Sequence, residues 1–376
     1  MENTDRFNSI KDDTKDDTMD YNSININLNE CNFNHCPSLL SILKNNIDQS
    51  EIIKYPSLYS ETHLKLLDKL AGYLYITNNK IIISNSIYNS INNILLLFAT
   101  NKSKILIFTP TINHCENLSK IMTNKIIKIQ IDKKKSGNQD SQLESYNLSD
   151  SFNNNRIICF LSNPNNSTGY EWTEKELKQM FNKYPHILFI IDESYIDFSI
   201  ILTTEENKIY SCTNCINEFK NIIIIRSFSK AFGLAGLGIG YLASNGLNIE
   251  SLLKISSYRD TMELSKLAAT TVLDNIPFYR NQIELLFIDK KKIIEFCIQN
   301  NIKHMDTKCN FILIYAGNYS EELQKIFFDN NIIVRILSND CLNILYGYIK
   351  INIFVNFTSI ILHILHTNKD KIYNCF

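Results

Sequence analysis

The stretch IIIIRSFSKAFGLAGLGIGY, residues 222–241, decides how this chain is read. Four isoleucines in a row describe a strand buried on both faces. Two serines and an isolated lysine, Lys230, follow at once, and then Gly233, Gly236, Gly238 and Gly240 crowd into eight residues. The whole chain of 376 residues holds only 10 glycines, about half the ~7% of average usage. A glycine-poor chain that spends them behind one strand end is building a special backbone path there.

Working outward, other β-branched runs precede this one: KILIF, IIKIQI, RIICFL and ILFIID, with helical stretches between some of them. That alternation predicts a mainly parallel sheet covered by helices. Residues 55–75 are read as a helix with Leu64, Leu67, Leu70, Ala71 and Leu74 on one face, and residues 87–99 as a buried helix. Thr173 and Glu176 have the spacing of a capping box, so a helix starts there. The polar piece 133–155 is read as an exposed loop. After about residue 265 long helices and the runs FILIY and IKINIFV suggest a second, smaller lobe. The domain reading is an acidic disordered tail at 1–22, an N-terminal segment at 23–55 joining the small domain, a large domain at 56–265 and a small C-terminal domain at 266–376.

Three strands end in chemically loaded residues. RIICFL runs into SNPNNSTG (162–169), ILFII into DESYIDF (192–198), and NIIII into RSFSK (226–230). In open α/β sheets ligands gather outside the carboxyl ends of strands, so Asn166, Asp192, Tyr195, Ser227, Ser229 and Lys230 are expected to line one crevice. A strand-end lysine forms a Schiff base with an aldehyde when its amine loses its proton often enough to attack. A buried aspartate keeps a pyridine nitrogen protonated and makes the ring an electron sink. A phenol and an amide hydrogen-bond a ring oxygen. Hydroxyls and backbone N–H groups take a phosphate. Together these demands describe pyridoxal 5′-phosphate.

The composition excludes other classes. A net charge of −1 offers no surplus for nucleic-acid phosphates. The apolar run 349–365 is interrupted by Lys350, Asn352, Asn356 and His363, so a core strand and a packed helix are expected in place of a membrane span. Cys212 and Cys215 have the spacing of half a zinc site, without a second half nearby; two free thiols are expected and no metal. The 10 scattered cysteines, with no signal peptide ahead of them, suit a reducing cytoplasm.

SNPNNSTG, IIDESYIDF and RSFSKAFGLAGLGIGY resemble the motifs of the fold-type I, class I/II aminotransferases, most closely the histidinol-phosphate aminotransferases and the related threonine-phosphate decarboxylases. Weaker likeness runs from about residue 24 to 366. The resemblance implies the aspartate aminotransferase-like fold, an α/β architecture with a large sheet domain and a smaller α+β domain. It implies that Lys230 carries the cofactor, that Asp192 partners the pyridine nitrogen, that Tyr195 and Asn166 hold the ring oxygen, and that Ser227 and Ser229 hold the phosphate. Tyr55, before Pro56, resembles a tyrosine that reaches into a neighbour's site across a homodimer. Asn310 and Arg335 resemble substrate-side residues. The implied reaction moves an amino group from a small-molecule amino donor to a 2-oxo acid. A decarboxylase using the same electron sink, and a degenerate homologue acting as a binding scaffold, are the alternatives.

The chain departs from the family pattern in five places, one of them a loop between Tyr195 and Lys230 that is several residues longer than usual. Gly238 stands where the family has a phosphate-binding arginine, so restoring arginine is expected to tighten cofactor binding unless Gly238 needs a positive φ. Ser86-Ile87-Tyr88-Asn89 replaces a Gly-Ser-Asp-Glu cradle. The aromatic that stacks on the pyridine falls at Cys115, with His114 beside it as substitute. Lys350 replaces a substrate-binding arginine, keeping the charge without the two-pronged fork.

Overall fold

The computed structural model describes residues 24–25, 29–47, 53–111, 113–131, 143, 156–202, 211–337 and 345–373. The expected tail at 1–22 and most of the expected loop at 133–155 lie outside these. The strands are β1 (Ile24–Asn25), β2 (Ile81–Ser84), β3 (Lys104–Thr109), β4 (Ile126–Gln130), β5 (Ile157–Ser162), β6 (Ile187–Asp192), β7 (Ile222–Ser227), β8 (Gly240–Ser244), β9 (His304–Met305), β10 (Phe311–Tyr315), β11 (Ile332–Ile333), β12 (Arg335–Ile336) and β13 (Tyr348–Asn352).

Seven of them form one sheet in the order β2-β8-β7-β6-β5-β3-β4. All neighbours in it run parallel except β8, which is antiparallel to both β2 and β7. Every residue of β5 and of β7 is buried, as a strand covered on both faces requires. The five β-branched runs are all strands of this sheet. β8 is the addition: the tail of the opening stretch, GYLAS, turns back beside β7. Gly240 permits this, because a Cβ there would come within 2.5 Å of the Arg226 carbonyl oxygen.

The helix read over 55–75 forms but starts later, as Glu61–Leu74, where Ser60 caps it by accepting from the His63 N–H. Its buried stripe is His63, Leu66, Leu70 and Leu74, whereas Leu64 is half exposed. The stripe follows the surface of helix Glu263–Asp274, against which it packs, and that rotates the inward face away from Leu64. Thr173 and Glu176 complete both halves of a capping box on helix Glu174–Lys183. Helix Ile87–Phe98 follows β2. The run 349–365 divides into β13 and the start of helix Thr358–Tyr373, and no described helix is long and apolar enough to cross a membrane.

A second, antiparallel sheet has the order β12-β13-β10-β9. The long helix Ile276–Gln299 leads into it, and the helices Ser320–Asp329 and Thr358–Tyr373 pack with it around one apolar cluster. The N-terminal β1 joins this part of the chain by pairing in parallel with β11.

Candidate functional site

Register places the chemistry. Ser162, Asp192 and Ile225 lie side by side across β5, β6 and β7, and Ser227, Gly240 and Ser84 lie side by side across β7, β8 and β2. β2 and β7 therefore end at the same edge as β5 and β6. Asp192, Tyr195, Ser227, Ser229, Lys230 and the SNPNNSTG turn all come together there, with the first turn of helix Ile87–Phe98.

The Lys230 amine stands 5.8 Å from the centre of the Tyr195 ring. Burial lowers its pKa below the ordinary lysine value, while neighbouring Cys31, Glu30 and Asp192 work the other way. Asp192 closes β6, and burial raises its pKa; hydrogen bonds to one carboxylate oxygen from the Ser194 hydroxyl and N–H (3.0 Å for the latter) and the charge of Lys230 oppose that. Tyr195 is buried, and its phenol is pushed well above the ordinary range, first by that burial. It stays a neutral donor. Its oxygen accepts from Asn29 Nδ2 at 2.6 Å.

The SNPNNSTG turn is folded by its middle. Asn165 Oδ1 accepts from the N–H groups of Ser167 (3.0 Å) and Thr168 (2.8 Å), and its Nδ2 donates to the Pro110 carbonyl at 2.8 Å. This fixes Asn166 at the edge of the crevice. The Asn166 carbonyl receives the Lys350 ammonium at 2.7 Å, and that ammonium lies 3.8 Å from the centre of the Phe311 ring. Lys350 is thus tied to the large sheet's turn as well as to β13. Arg335 on β12 is its direct cross-strand partner, so the two cations share a face.

Where β7 and β2 end, the Ser227 hydroxyl accepts from the Ser229 N–H at 3.0 Å, and Ser86 caps helix Ile87–Phe98 by accepting from the Asn89 N–H at 3.0 Å. Where the family has a glycine-rich cradle, this chain has a helix start, whose first-turn N–H groups other than the capped Asn89 suit an anion. Gly238 has φ +51°, and a Cβ there would meet the Asn85 carbonyl oxygen at 3.2 Å. The condition set on a tighter-binding arginine at 238, that the position need no positive φ, is therefore not met: the left-handed turn favours glycine. Gly238→Arg is expected to lose about 1–2 kcal/mol of stability, read by urea unfolding. It should show no gain in cofactor affinity by absorbance titration.

His114 and Cys115 separate. Cys115 is buried in the apolar cluster with Ile105, Ile107 and Ile158, and burial raises its thiol pKa. The aromatic group at this place is His114, only half-buried, 4.0 Å centre to centre from the Tyr88 ring, with its Nε2 buried and lacking a hydrogen-bond partner among the described residues. Tyr55 is 82% exposed, with the Arg259 guanidinium 5.3 Å above its ring, so it lies outside the crevice of its own chain. Asn310 is fully buried. Its Nδ2 donates to the carbonyls of Asn29 and Glu30, both at 3.3 Å, so its amide holds the N-terminal segment. Cys212 and Cys215 are buried free thiols in a short turn, and no metal-binding group of three or more His, Cys, Asp or Glu exists among the described residues.

Reading by motif missed what lies beneath. Arg226, 1% exposed, donates to Glu193 (3.0 Å), Asp197 (3.2 Å) and the Ser211 hydroxyl (2.6 Å). Tyr73 donates to Asp197 at 2.8 Å, and Glu193 receives the Cys212 N–H at 2.7 Å. Arg226 and Glu193 are the chain neighbours of Ser227 and Asp192, so this network fixes the two strand ends relative to each other. Arg226→Ala strands two buried carboxylates, and we expect a loss of about 3–5 kcal/mol, measured as a lower urea midpoint.

Residues 21–341 match the family model described as aminotransferase class I and II. Dihydroxyacetone phosphate transaminase of Campylobacter jejuni is 27% identical over 307 residues, covering 80% of this chain and 78% of the relative. Histidinol-phosphate aminotransferase 1 of Idiomarina loihiensis is 32% identical over 179 residues, 47% of each chain. Among solved structures, histidinol-phosphate aminotransferase from Sinorhizobium meliloti, in complex with pyridoxal-5′-phosphate, superposes with TM-score 0.77 at 18% identity, covering 94% of this chain and 92% of that one. At that identity the superposition speaks for the fold alone.

Proposed function

We propose, since this chain belongs to the aminotransferase class I and II family and is an enzyme of pyridoxal 5′-phosphate, that it moves an amino group between a small amine-bearing phosphate ester and a 2-oxo acid. The observation that carries the reading is a half-buried lysine, its amine lowered in pKa by desolvation, facing Tyr195 where β5, β6 and β7 end together. The residues fit the cofactor's chemistry. They offer an amine for an aldehyde, a buried carboxyl for a ring nitrogen, a neutral phenol and an amide for a ring oxygen, and hydroxyls with a helix start for a phosphate.

Bound, pyridoxal phosphate supplies the aldehyde and the ring that takes up the electron pair released at the substrate's α-carbon. Lys230 would hold it through its amine, and that amine, when free, would be the base that moves the substrate's α-proton. Asp192 holds the proton on the ring nitrogen. Its half-buried place at the end of β6 would limit the water that otherwise weakens that pair. Tyr195 and Asn166 would orient the ring through its oxygen, and Ser227, Ser229 and the first turn of helix Ile87–Phe98 would take the phosphate.

A phosphate-bearing substrate is supported by Arg335 and Lys350 on one face of the second sheet, and by the phosphate compounds named for the relatives. Lys350 still carries charge for the anion, but a single ammonium already bound to Asn166 grips less specifically than a guanidinium. The reading includes a division into a large cofactor-binding domain and a smaller C-terminal one. It also includes a homodimer, supported by the exposure of Tyr55 beside Pro56, and a cytoplasmic location, which suits the free thiols.

The test is a screen of amino donors with and without phosphate groups, against several 2-oxo acids, with carbon dioxide release followed in parallel. We expect amino transfer that is faster by at least tenfold for a phosphorylated donor. Equal rates with unphosphorylated donors would reject the phosphate ester, and carbon dioxide release without amino transfer would replace the reaction by decarboxylation.

A further inference from the structure

Residues 29–32 form a strap fastened to the second sheet. The Asn310 amide donates to the carbonyls of Asn29 and Glu30, the Asn352 amide donates to Glu30 at 3.2 Å, and Asn32 exchanges two hydrogen bonds of 2.9 Å with the Val355 backbone. Asn29 stands at its head in a left-handed conformation, φ +56°, which asparagine adopts more easily than most residues. There its Nδ2 donates to the Tyr195 oxygen at 2.6 Å, while its Oδ1 is buried with no hydrogen-bond partner among the described residues. A phenol oxygen carries one donated proton and accepts through lone pairs. An N–H already occupying an acceptor site leaves the hydroxyl proton for another group, and polarises it.

We propose that Asn29 is a positioning residue of this enzyme: its amide fills an acceptor site on the Tyr195 hydroxyl, so that the phenol donates its own proton to the cofactor's ring oxygen. This rests on the reading of Lys230 and Tyr195 given above. The ring oxygen, when anionic, holds the proton on the nitrogen that links Lys230 to the cofactor. A phenol donating to that oxygen weakens the hold, so the linking nitrogen loses its proton at lower pH. Asn29, by strengthening the donor, sets this pH. The other titratable groups facing the pair are Cys31, Cys309 and Asp192 around Tyr195, and Cys31, Glu30 and Asp192 around Lys230. Burial pushes the thiols of Cys31 and Cys309 up to about 12, so neither changes charge near neutrality. Asp192 is common to wild type and variants.

The experiment follows the absorbance of the full-length holoenzyme against pH, without substrate. Asn29→Gly keeps the left-handed backbone and removes the amide; Asn29→Asp keeps the shape and offers the phenol an acceptor that competes for its proton. The absorbance midpoint is expected to rise by about half a unit to one unit for Asn29→Gly, the size of one neutral hydrogen bond, and by more for Asn29→Asp. Tyr195→Phe should raise the midpoint by itself, and adding Asn29→Gly to it should change nothing further. Should Asn29→Gly fail to fold, Asn29→Asp carries the test. Unchanged midpoints in folded variants overturn the proposal, as does an Asn29 effect that persists in the Tyr195→Phe background. A wild-type protein that shows no cofactor band, or none that borohydride fixes to Lys230, overturns the underlying reading as well.

Discussion

Lys230→Ala is expected to abolish turnover, lowering kcat by at least about four orders of magnitude. Two losses combine. The variant cannot hold the cofactor covalently, and it has no base for the α-carbon proton, a role that alone contributes about 10²–10⁴-fold. Among the described residues no neighbouring amine stands in. Lys350 is bound to the Asn166 carbonyl, and the buried Lys266 and Lys290 are engaged with Glu263 and with Asp306. The Lys230 amine makes its attack as a neutral group, and its burial brings that form within reach closer to neutral pH than for an exposed lysine. The measurement is single-turnover amino transfer with saturating cofactor, alongside peptide mapping after borohydride treatment. The wild type should carry the reduced cofactor on Lys230, and the alanine variant on no single residue. Activity within tenfold of wild type would remove Lys230 from the centre of the reaction.

The strand ends were legible because each is a contiguous signal: a β-branched run, then polar residues that a buried strand has no reason to carry. RSFSK and DESYIDF could be placed at one sheet edge from order alone. What surrounds them was not. The partners of Arg226 come from Glu193, Asp197 and Ser211, and no spacing rule links them. The charge itself was the available signal, an arginine at the inner end of IIII, where only a paired cation is tolerated. β8 escaped because GYLAS is short and starts on glycine, a poor strand residue that here serves close backbone approach. Asn29 was hidden by composition: in ININLNECNFN one asparagine looks like the next. Only the fold distinguishes the one that meets Tyr195 from those that fasten the strap. Gly238 shows the reverse case. A missing arginine was visible by comparison of motifs, but its meaning depended on a backbone angle that no residue count supplies.

Asp192→Ala is expected to leave the sheet intact and lower kcat by about 10²–10⁴-fold. The carboxyl ends β6 at the surface of the crevice, and its described hydrogen bonds are to its near neighbour Ser194, so its removal disturbs little packing. The task proposed for it is electrostatic. Burial raises its pKa, which means that the carboxylate gains more from a proton or a cation here than it would in water. A protonated ring nitrogen is such a partner. Breaking a buried pair of this kind costs about 3–5 kcal/mol, and at ~1.4 kcal/mol per tenfold that is two to more than three orders of magnitude. Without the carboxylate the ring nitrogen gives up its proton, the ring becomes a weaker electron sink, and the α-carbon proton is released more slowly. Asp192→Glu retains the charge but places it one methylene away, and should recover part of the rate; Asp192→Asn, which keeps the shape without the charge, should not. The measurement is exchange of the substrate α-proton with deuterated solvent, which reports that step apart from the rest of the cycle. An exchange rate in Asp192→Ala equal to wild type would show that the ring nitrogen is held elsewhere. Loss of exchange in Asp192→Asn with full exchange in Asp192→Glu would assign the effect to charge rather than to shape.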